Sequence, residues 1–222
     1  MIYITGDTHG EQNRFNENNM PGEFSWTKDD YLIVCGDFGY IGSGWMFLDE
    51  LEKRPYTICF CDGNHENFDR LYQYPEEIWN GGRIHRVRKN IIHLMRGQVY
   101  DIDGKTIFAM GGAYSIDKEL RIEGRSWWPQ ELPTDEEYKE ASKNLDACGK
   151  KVDYIVSHTA PSEIIRRMGS EPRAEDAELT GFLEWVMYEV EFKKWFFGHW
   201  HRELEIDGRF RALHFGIEAL AE

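Results

Sequence analysis

Apolar residues fall in short, nearly unbroken runs along this chain. They are IYIT (Ile2 to Thr5), YLIVC (Tyr31 to Cys35), YTICFC (Tyr56 to Cys61), TIFAM (Thr106 to Met110), YIVS (Tyr154 to Ser157) and WFF (Trp195 to Phe197). β-Branched and aromatic side chains dominate them, which predicts strands covered on both faces. Helical spacing appears between several of the runs. Gly44 to Lys53 places apolar residues at helical intervals, and Leu179, Phe182, Leu183 and Val186 share one face of a segment from Leu179 to Val190. Thr134 to Ala147 opens with TDEE, a Thr N-cap with Glu three positions on. Two hairpins are expected, one turning at Asp103-Gly104 and one, from Leu204 to Leu213, at Asp207-Gly208. Strand–helix–strand units mixed with hairpins predict a layered α/β sandwich with mixed sheets. The segment from Gly111 to Pro133 has weak periodicity but carries Tyr114, Trp127 and Trp128, and reads as a long ordered loop.

Composition narrows this picture. At 222 residues, a single domain over 1–222 with a loop insertion at about 111–133 is expected. The apolar share of 41% is enough for a sizeable core. No apolar run approaches the roughly 20 residues a membrane span needs. The opening MIYITGDTHG lacks the basic region and apolar stretch of a signal peptide, so the expected compartment is the cytoplasm. Cys35, Cys59, Cys61 and Cys148 are expected to be free thiols, because CFC does not have the spacing of a zinc or redox pair. The net charge of −14, from 40 acids against 26 bases, argues against long nucleic acid as a partner. It is compatible with a cluster of carboxylates around a cation.

The polar residues just beyond the apolar runs change the picture most. GDTH after the first run gives Asp7 and His9, and GDFG after the second gives Asp37. DGNHE after the third gives Asn64, His65 and Glu66. His158 follows YIVS, and GHWH after WFF gives His199 and His201. Each motif alone is an ordinary turn or an isolated histidine. Together they place metal-ligand residue types at matching strand ends, where open α/β sheets bind ligands. The donors are imidazoles, carboxylates and one amide oxygen, a mix that suits manganese above all, with iron, zinc, nickel or cobalt as alternatives. Seven such ligands are too many for one ion with an open position, whereas two ions sharing a bridging carboxylate use them all.

The ordered set DTH, GDFG, GNHE, SH and GHWH resembles the calcineurin-like metallophosphoesterase superfamily, and it covers the chain from Asp7 to His201. The resemblance implies a four-layer α/β/β/α sandwich with two mixed β-sheets. It implies two divalent metal ions, one held by Asp7, His9, Asp37 and His201 and the other by Asp37, Asn64, His158 and His199. His65 is then the catalytic acid at the leaving group, or orients the bridging hydroxide. Glu66 becomes a helix-start or supporting residue, and Gly63 lets the chain turn sharply enough to present Asn64 and His65.

The sequence departs from the protein-phosphatase branch at one point. That branch has an Asp-Arg pair after the second motif, and the arginine binds phosphate. Here GDFGYIG supplies none. Arg121 and Arg125 in ELRIEGRSWW are the candidate replacements, with Trp127 and Trp128 as core anchors or as a wall for an aryl group. His85, His93 and His214 match no motif and are expected to be structural or exposed. The expected activity is hydrolysis of phosphate esters, leaning to monoesters of a small phosphorylated substrate or a phosphoprotein. The alternatives are a phosphodiesterase for cyclic nucleotides or other small diesters, and a non-catalytic scaffold on the same fold.

Overall fold

The computed structural model describes residues 1–42 and 44–220; Ser43, Ala221 and Glu222, which fall within the expected 1–222 domain, lie outside the described residues. The strands are β1 (Ile2–Thr5), β2 (Tyr31–Val34), β3 (Thr57–Phe60), β4 (Glu76–Trp79), β5 (Gly82–Arg88), β6 (Ile91–Leu94), β7 (Gln98–Ile102), β8 (Lys105–Met110), β9 (Tyr154–Ser157), β10 (Lys194–Phe197), β11 (Leu204–Ile206), β12 (Phe210–Ala212) and β13 (Ile217–Ala219). The α-helices are α1 (Leu48–Leu51), α2 (Phe68–Leu71), α3 (Asp135–Ala147), α4 (Ser162–Arg167) and α5 (Ala177–Glu189).

Two mixed sheets form. One runs β13-β1-β2-β3-β6-β5-β4 and the other β11-β12-β10-β9-β8-β7. In the first, β1, β2 and β3 are parallel neighbours; in the second, β8, β9 and β10 are. Alternation along β2 shows how the layers arise. Leu32 and Val34 point into an outer core with Leu48, Leu51, Phe68 and Leu71. Ile33 points the other way, into a core between the sheets that includes Ile4, Cys59, Ile107, Val156 and Phe196. A third core packs Phe108, Ile155 and Trp195 against Leu145, Ile164, Leu183 and Val186 of α3, α4 and α5. Strands buried on both faces between helical layers give the four-layer α/β/β/α sandwich. No helix among the described residues is long and apolar enough to cross a membrane.

The turn chemistry is also as the sequence predicts. Asp103-Gly104 and Asp207-Gly208 all have positive φ, as a type I′ hairpin turn requires. Thr134 accepts from the Glu137 amide while Glu137 reaches back to the Thr134 amide. One expected helix is much shorter. Gly44 to Lys53 yields a 3-10 turn at Trp45–Phe47 and then only Leu48–Leu51, after which the Lys53 and Arg54 amides make tighter i→i+3 bonds ahead of Pro55. The segment from Gly111 to Pro133 contains two 3-10 turns, Lys118–Leu120 and Pro129–Glu131.

Candidate metal centre

The parallel strands of both sheets end on the same side of the molecule. Asp7 follows β1, Asp37 follows β2, Asn64 follows β3, His158 follows β9, and His199 and His201 follow β10. The chain leaves these strands in unusual conformations. His9, Asp37, His199 and His201 all have left-handed φ, between 46° and 63°. Such backbone is disfavoured for residues with a Cβ, by about 1–3 kcal/mol each, and concentrates at functional sites.

Two sets of donor atoms converge. Asp7 Oδ2 lies 3.0 Å from His201 Nε2 and 3.7 Å from His9 Nε2, and the two imidazole nitrogens are 3.0 Å apart. In the second set, Asn64 Oδ1 lies 3.0 Å from His158 Nε2 and 3.1 Å from His199 Nδ1. Asp37 stands between them. Its Oδ1 is 3.5 Å from His158 Nε2, and its Oδ2 is 3.8 Å from His9 Nδ1. Around a divalent ion with donors at about 2.0–2.2 Å, neighbouring ligand atoms are spaced about 2.8–3.6 Å. The separations within both sets lie at or near that range, and the N/O donor chemistry suits a divalent cation, so these residues fit the group the sequence implies.

The charges agree. Burial alone would raise the Asp37 carboxyl, yet His158, His65 and His9 outweigh it and hold it well below the usual carboxylate range. Burial opposes charge on His158, but Asp37 and Asp7 raise it to about 10. The carboxylates therefore favour positive charge at this spot. Burial and the neighbouring His158 push His199 down to about 3, which leaves a neutral nitrogen donor. Burial, together with the cation of Arg121, also lowers His65, although Asp37 opposes them.

A surrounding shell fixes the donors. His158 Nδ1 donates to the Cys35 carbonyl at 2.9 Å, which turns Nε2 toward Asn64 and Asp37. The Asn64 amide nitrogen donates to Ser115 Oγ at 3.1 Å, orienting its oxygen inward. The Asp7 carboxylate accepts the His199 amide, and Asp37 Oδ1 accepts the His65 amide at 2.8 Å. Glu66 is fully buried and accepts from the Phe38 and Gly39 amides at 2.6 and 3.4 Å, clamping the loop that carries Asp37. It supports the site rather than starting a helix, since α2 begins only at Phe68 and its N-cap is Asn67.

Gly63 has a different role from the one expected. Its φ is not in the left-handed region; instead a Cβ there would meet Asp37 Oδ1 at 2.1 Å. Gly198 likewise leaves room for Asp7 Oδ1, which its Cβ would meet at 2.0 Å. These glycines let carboxylates fold against the next strand end, so close approach is their requirement.

All seven expected ligands and His65 meet at this one end. The motifs did not reveal Ser115, nor His214, whose ring stacks on His201 at 4.4 Å. Ser115 lies in GGAYS, a stretch with no ligand signature, and its position depends on the Gly111 to Pro133 loop folding back. That loop also brings Arg121 over His65, with the two guanidinium nitrogens 2.9 and 3.2 Å from the two ring nitrogens. Asp117 holds Arg121 Nε at 2.7 Å. Trp128 is buried in the outer core and donates to Asp69 at 2.9 Å, and it also lines a cavity beside His65. Of the two other unassigned histidines, His85 and His93 are buried and structural.

No curated protein matches the chain. Among solved structures, a phosphopantetheinyl hydrolase from Mycobacterium tuberculosis matches with a TM-score of 0.46 and 18% identity, over 96% of this chain and 89% of that one. The family model for calcineurin-like phosphoesterases matches residues 1–203. The chain belongs to the calcineurin-like phosphoesterase family and is a metal-dependent hydrolase of phosphate esters.

Proposed function

We propose that the protein hydrolyses phosphate monoesters of small molecules. The observation that carries this reading is the placement of Arg121 on His65, at the edge of the ligand set. A monoester dianion offers three non-bridging oxygens, one more than a diester, and carries more charge. A guanidinium fork beside the cation ligands favours the more highly charged ester.

Asp7, His9, Asp37 and His201 would hold one divalent ion, and Asp37, Asn64, His158 and His199 the other, with Asp37 shared. The N/O donor set supports manganese. Bound ions of this kind supply water activated near neutral pH and offset charge on the phosphoryl oxygens. The chain's own groups do the rest. Arg121 holds a phosphoryl oxygen while Asp117 fixes its Nε. His65, with Nε2 3.9 Å from Asp37 Oδ2, manages the proton at the departing oxygen. Tyr114, Ile165 and Trp200 line a cavity of about 430 Å³ beside it that suits the organic part of an ester. The buried free thiols Cys35, Cys59 and Cys61 support a reducing compartment, the cytoplasm. The acidic surface supports a small phosphorylated substrate over nucleic acid; a phosphoprotein is the other monoester source.

One observation favours the diester reading. Cavities flank His65 and Arg121 on both sides, so a phosphate with two substituents could lie across them. Turnover of p-nitrophenyl phosphate and bis-p-nitrophenyl phosphate in Mn²⁺ decides between the two. The monoester is expected to have the higher kcat/KM, and a large preference for the diester would overturn the reading.

A further inference from the structure

The two cavities that share His65 and Arg121 differ in charge. The first mixes apolar walls with both signs, since Asp117, Asp176 and Arg173 all line it. The second, of about 580 Å³, is lined by Arg70, Arg121 and Arg125 together with Asn67 and Ser126, and by no carboxylate among the described residues. In a chain with 40 acids and 26 bases this is an unusual concentration of positive charge. Other arginines here are tied to acids: Arg83 to Glu76, Arg86 to Glu77, Arg96 to Asp62 and Arg211 to Glu203. No ion pair or hydrogen bond engages the guanidinium of Arg70 or Arg125 among the described residues; the Arg70 backbone N–H caps onto Asn67 Oδ1 at 3.0 Å. Asp117 and Asp69 are engaged elsewhere, Asp117 with Arg121 Nε and Asp69 with the Trp128 indole, and Glu66 is turned to the Phe38 and Gly39 amides. His9 and His65 also line this cavity, so it opens directly onto the ligand set.

We propose that this cavity is a subsite for a second phosphoryl group of the substrate, which makes the preferred substrate a small bisphosphorylated molecule. The inference rests on the monoester reading above for the phosphate at the ligand set. A tetrahedral phosphoryl dianion has three oxygens to share between two guanidinium forks, and Arg70 and Arg125 supply two that nothing else occupies. Asn67 and Ser126 add neutral polar groups beside them. The organic part then links the phosphate at the ligand set to the second phosphate in this cavity, passing the edge that Arg121 and His65 give to both cavities.

The test uses the full chain in Mn²⁺. Turnover of p-nitrophenyl phosphate reads the monoester activity by itself. Inhibition of that turnover by adenosine 5′-monophosphate and by adenosine 3′,5′-bisphosphate reads the subsite. The bisphosphate is expected to bind tighter by about 10-fold or more, the scale of one charge-assisted hydrogen bond. The gap is expected to close in the Arg70→Ala/Arg125→Ala double variant and to shrink with added salt. Both side chains are exposed, and circular dichroism with metal content checks that the variant is intact. Equal inhibition constants in the wild type, or a gap that survives the double variant, would overturn the subsite. If p-nitrophenyl phosphate is not hydrolysed, the monoester reading falls instead. Calorimetric titration of the same two nucleotides, which needs no turnover, then decides the subsite by the same criterion.

Discussion

Two clusters in this protein are built from the same residue types and are arranged differently. At the strand ends, His9, His201 and Asp7 offer three donor atoms that all lie within 4.8 Å of one another. On the first sheet, His85 Nδ1 meets His93 Nδ1 at 2.9 Å, His93 Nε2 meets Asp62 at 3.1 Å, and Asp62 meets Arg96. The first arrangement is convergent and the second is a chain. In the chain each group already has a partner on a different atom, so no lone pairs are left aiming at a common point. Burial separates them too: the side chains of His9 and His201 are 27% and 50% exposed, against 4% and 3% for His85 and His93. So does the backbone, which is left-handed at His9 and His201 but regular strand at His85 and His93. Histidine and aspartate in proximity do not define a metal centre. Convergent lone pairs set the strand-end cluster apart, and at His9 and His201 solvent access and strained backbone accompany them.

That distinction breaks if substitutions at the two clusters have the same consequence. Asp37→Ala is expected to have the largest effect. It removes the carboxylate facing both donor sets and the acceptor of the His65 amide. Elemental analysis should find both ions lost and phosphoesterase activity at background; full metal content would end the shared-ligand assignment. His65→Ala comes next. It should retain metal, while kcat falls by about 10²–10⁴-fold. Loss of metal together with activity would make His65 a structural residue.

Arg96→Met probes the other cluster. It leaves Asp62 buried with His93 as its remaining side-chain partner, and breaking a buried pair costs about 3–5 kcal/mol of stability. Chemical unfolding should show that loss, while the metal content of the folded protein stays whole. A variant of unchanged stability that binds no metal would join the two clusters into one functional unit.

Much of this contrast was legible in the chain. IYIT and YIVS are strands with the predicted boundaries, because runs buried on both faces leave an unbroken apolar signature. The strand-end motifs were legible because each follows such a run. β4, β5 and β6 were not, although Asn80-Gly81 marks the turn between the first two. GRIHRVR alternates with charge, and IIHL breaks its apolar run with His93, whose polarity is compensated by His85 on the neighbouring strand and by Asp62, a partner 31 residues away. The sequence does not separate Arg121 from Arg125 for a related reason. The Arg121 contact with His65 spans 56 residues and depends on a loop with no periodicity. Local pattern reports burial and turns; it does not report which distant polar group satisfies which.

Glu66 sharpens the comparison on the metal side, with a smaller effect. Burial and the nearby Asp37 charge push its carboxyl up to about 8, while two backbone amides favour the charged form. Glu66→Gln keeps one acceptor oxygen but puts an amide nitrogen among the Phe38 and Gly39 N–H groups. Residues that orient ligands typically contribute about 10–100-fold in metal affinity. Competition with a chelator should show a weakening of that size with the fold intact; unchanged affinity would mean the Asp37 loop holds its shape without the clamp.

The smallest expected effect lies in the histidine chain and appears only with pH. Burial, then His93, lowers His85 to about 3, with Asp62 opposing. The unfolded chain takes up a proton on this residue below about pH 6.5, whereas the folded protein resists it until about pH 3. Stability from this group is therefore present above pH 6.5 and is lost as pH falls toward 3. Between pH 7 and pH 5 the loss is about 2 kcal/mol. His199, pushed down to about 3 at the metal end, adds a slope of the same sign. It is common to wild type and His85→Gln, so it cancels in their difference. Urea unfolding of both proteins at pH 7 and pH 5 should show the wild type losing more stability across that interval. Equal losses would move the acid sensitivity to the strand-end histidines and leave the buried chain electrically silent over this range.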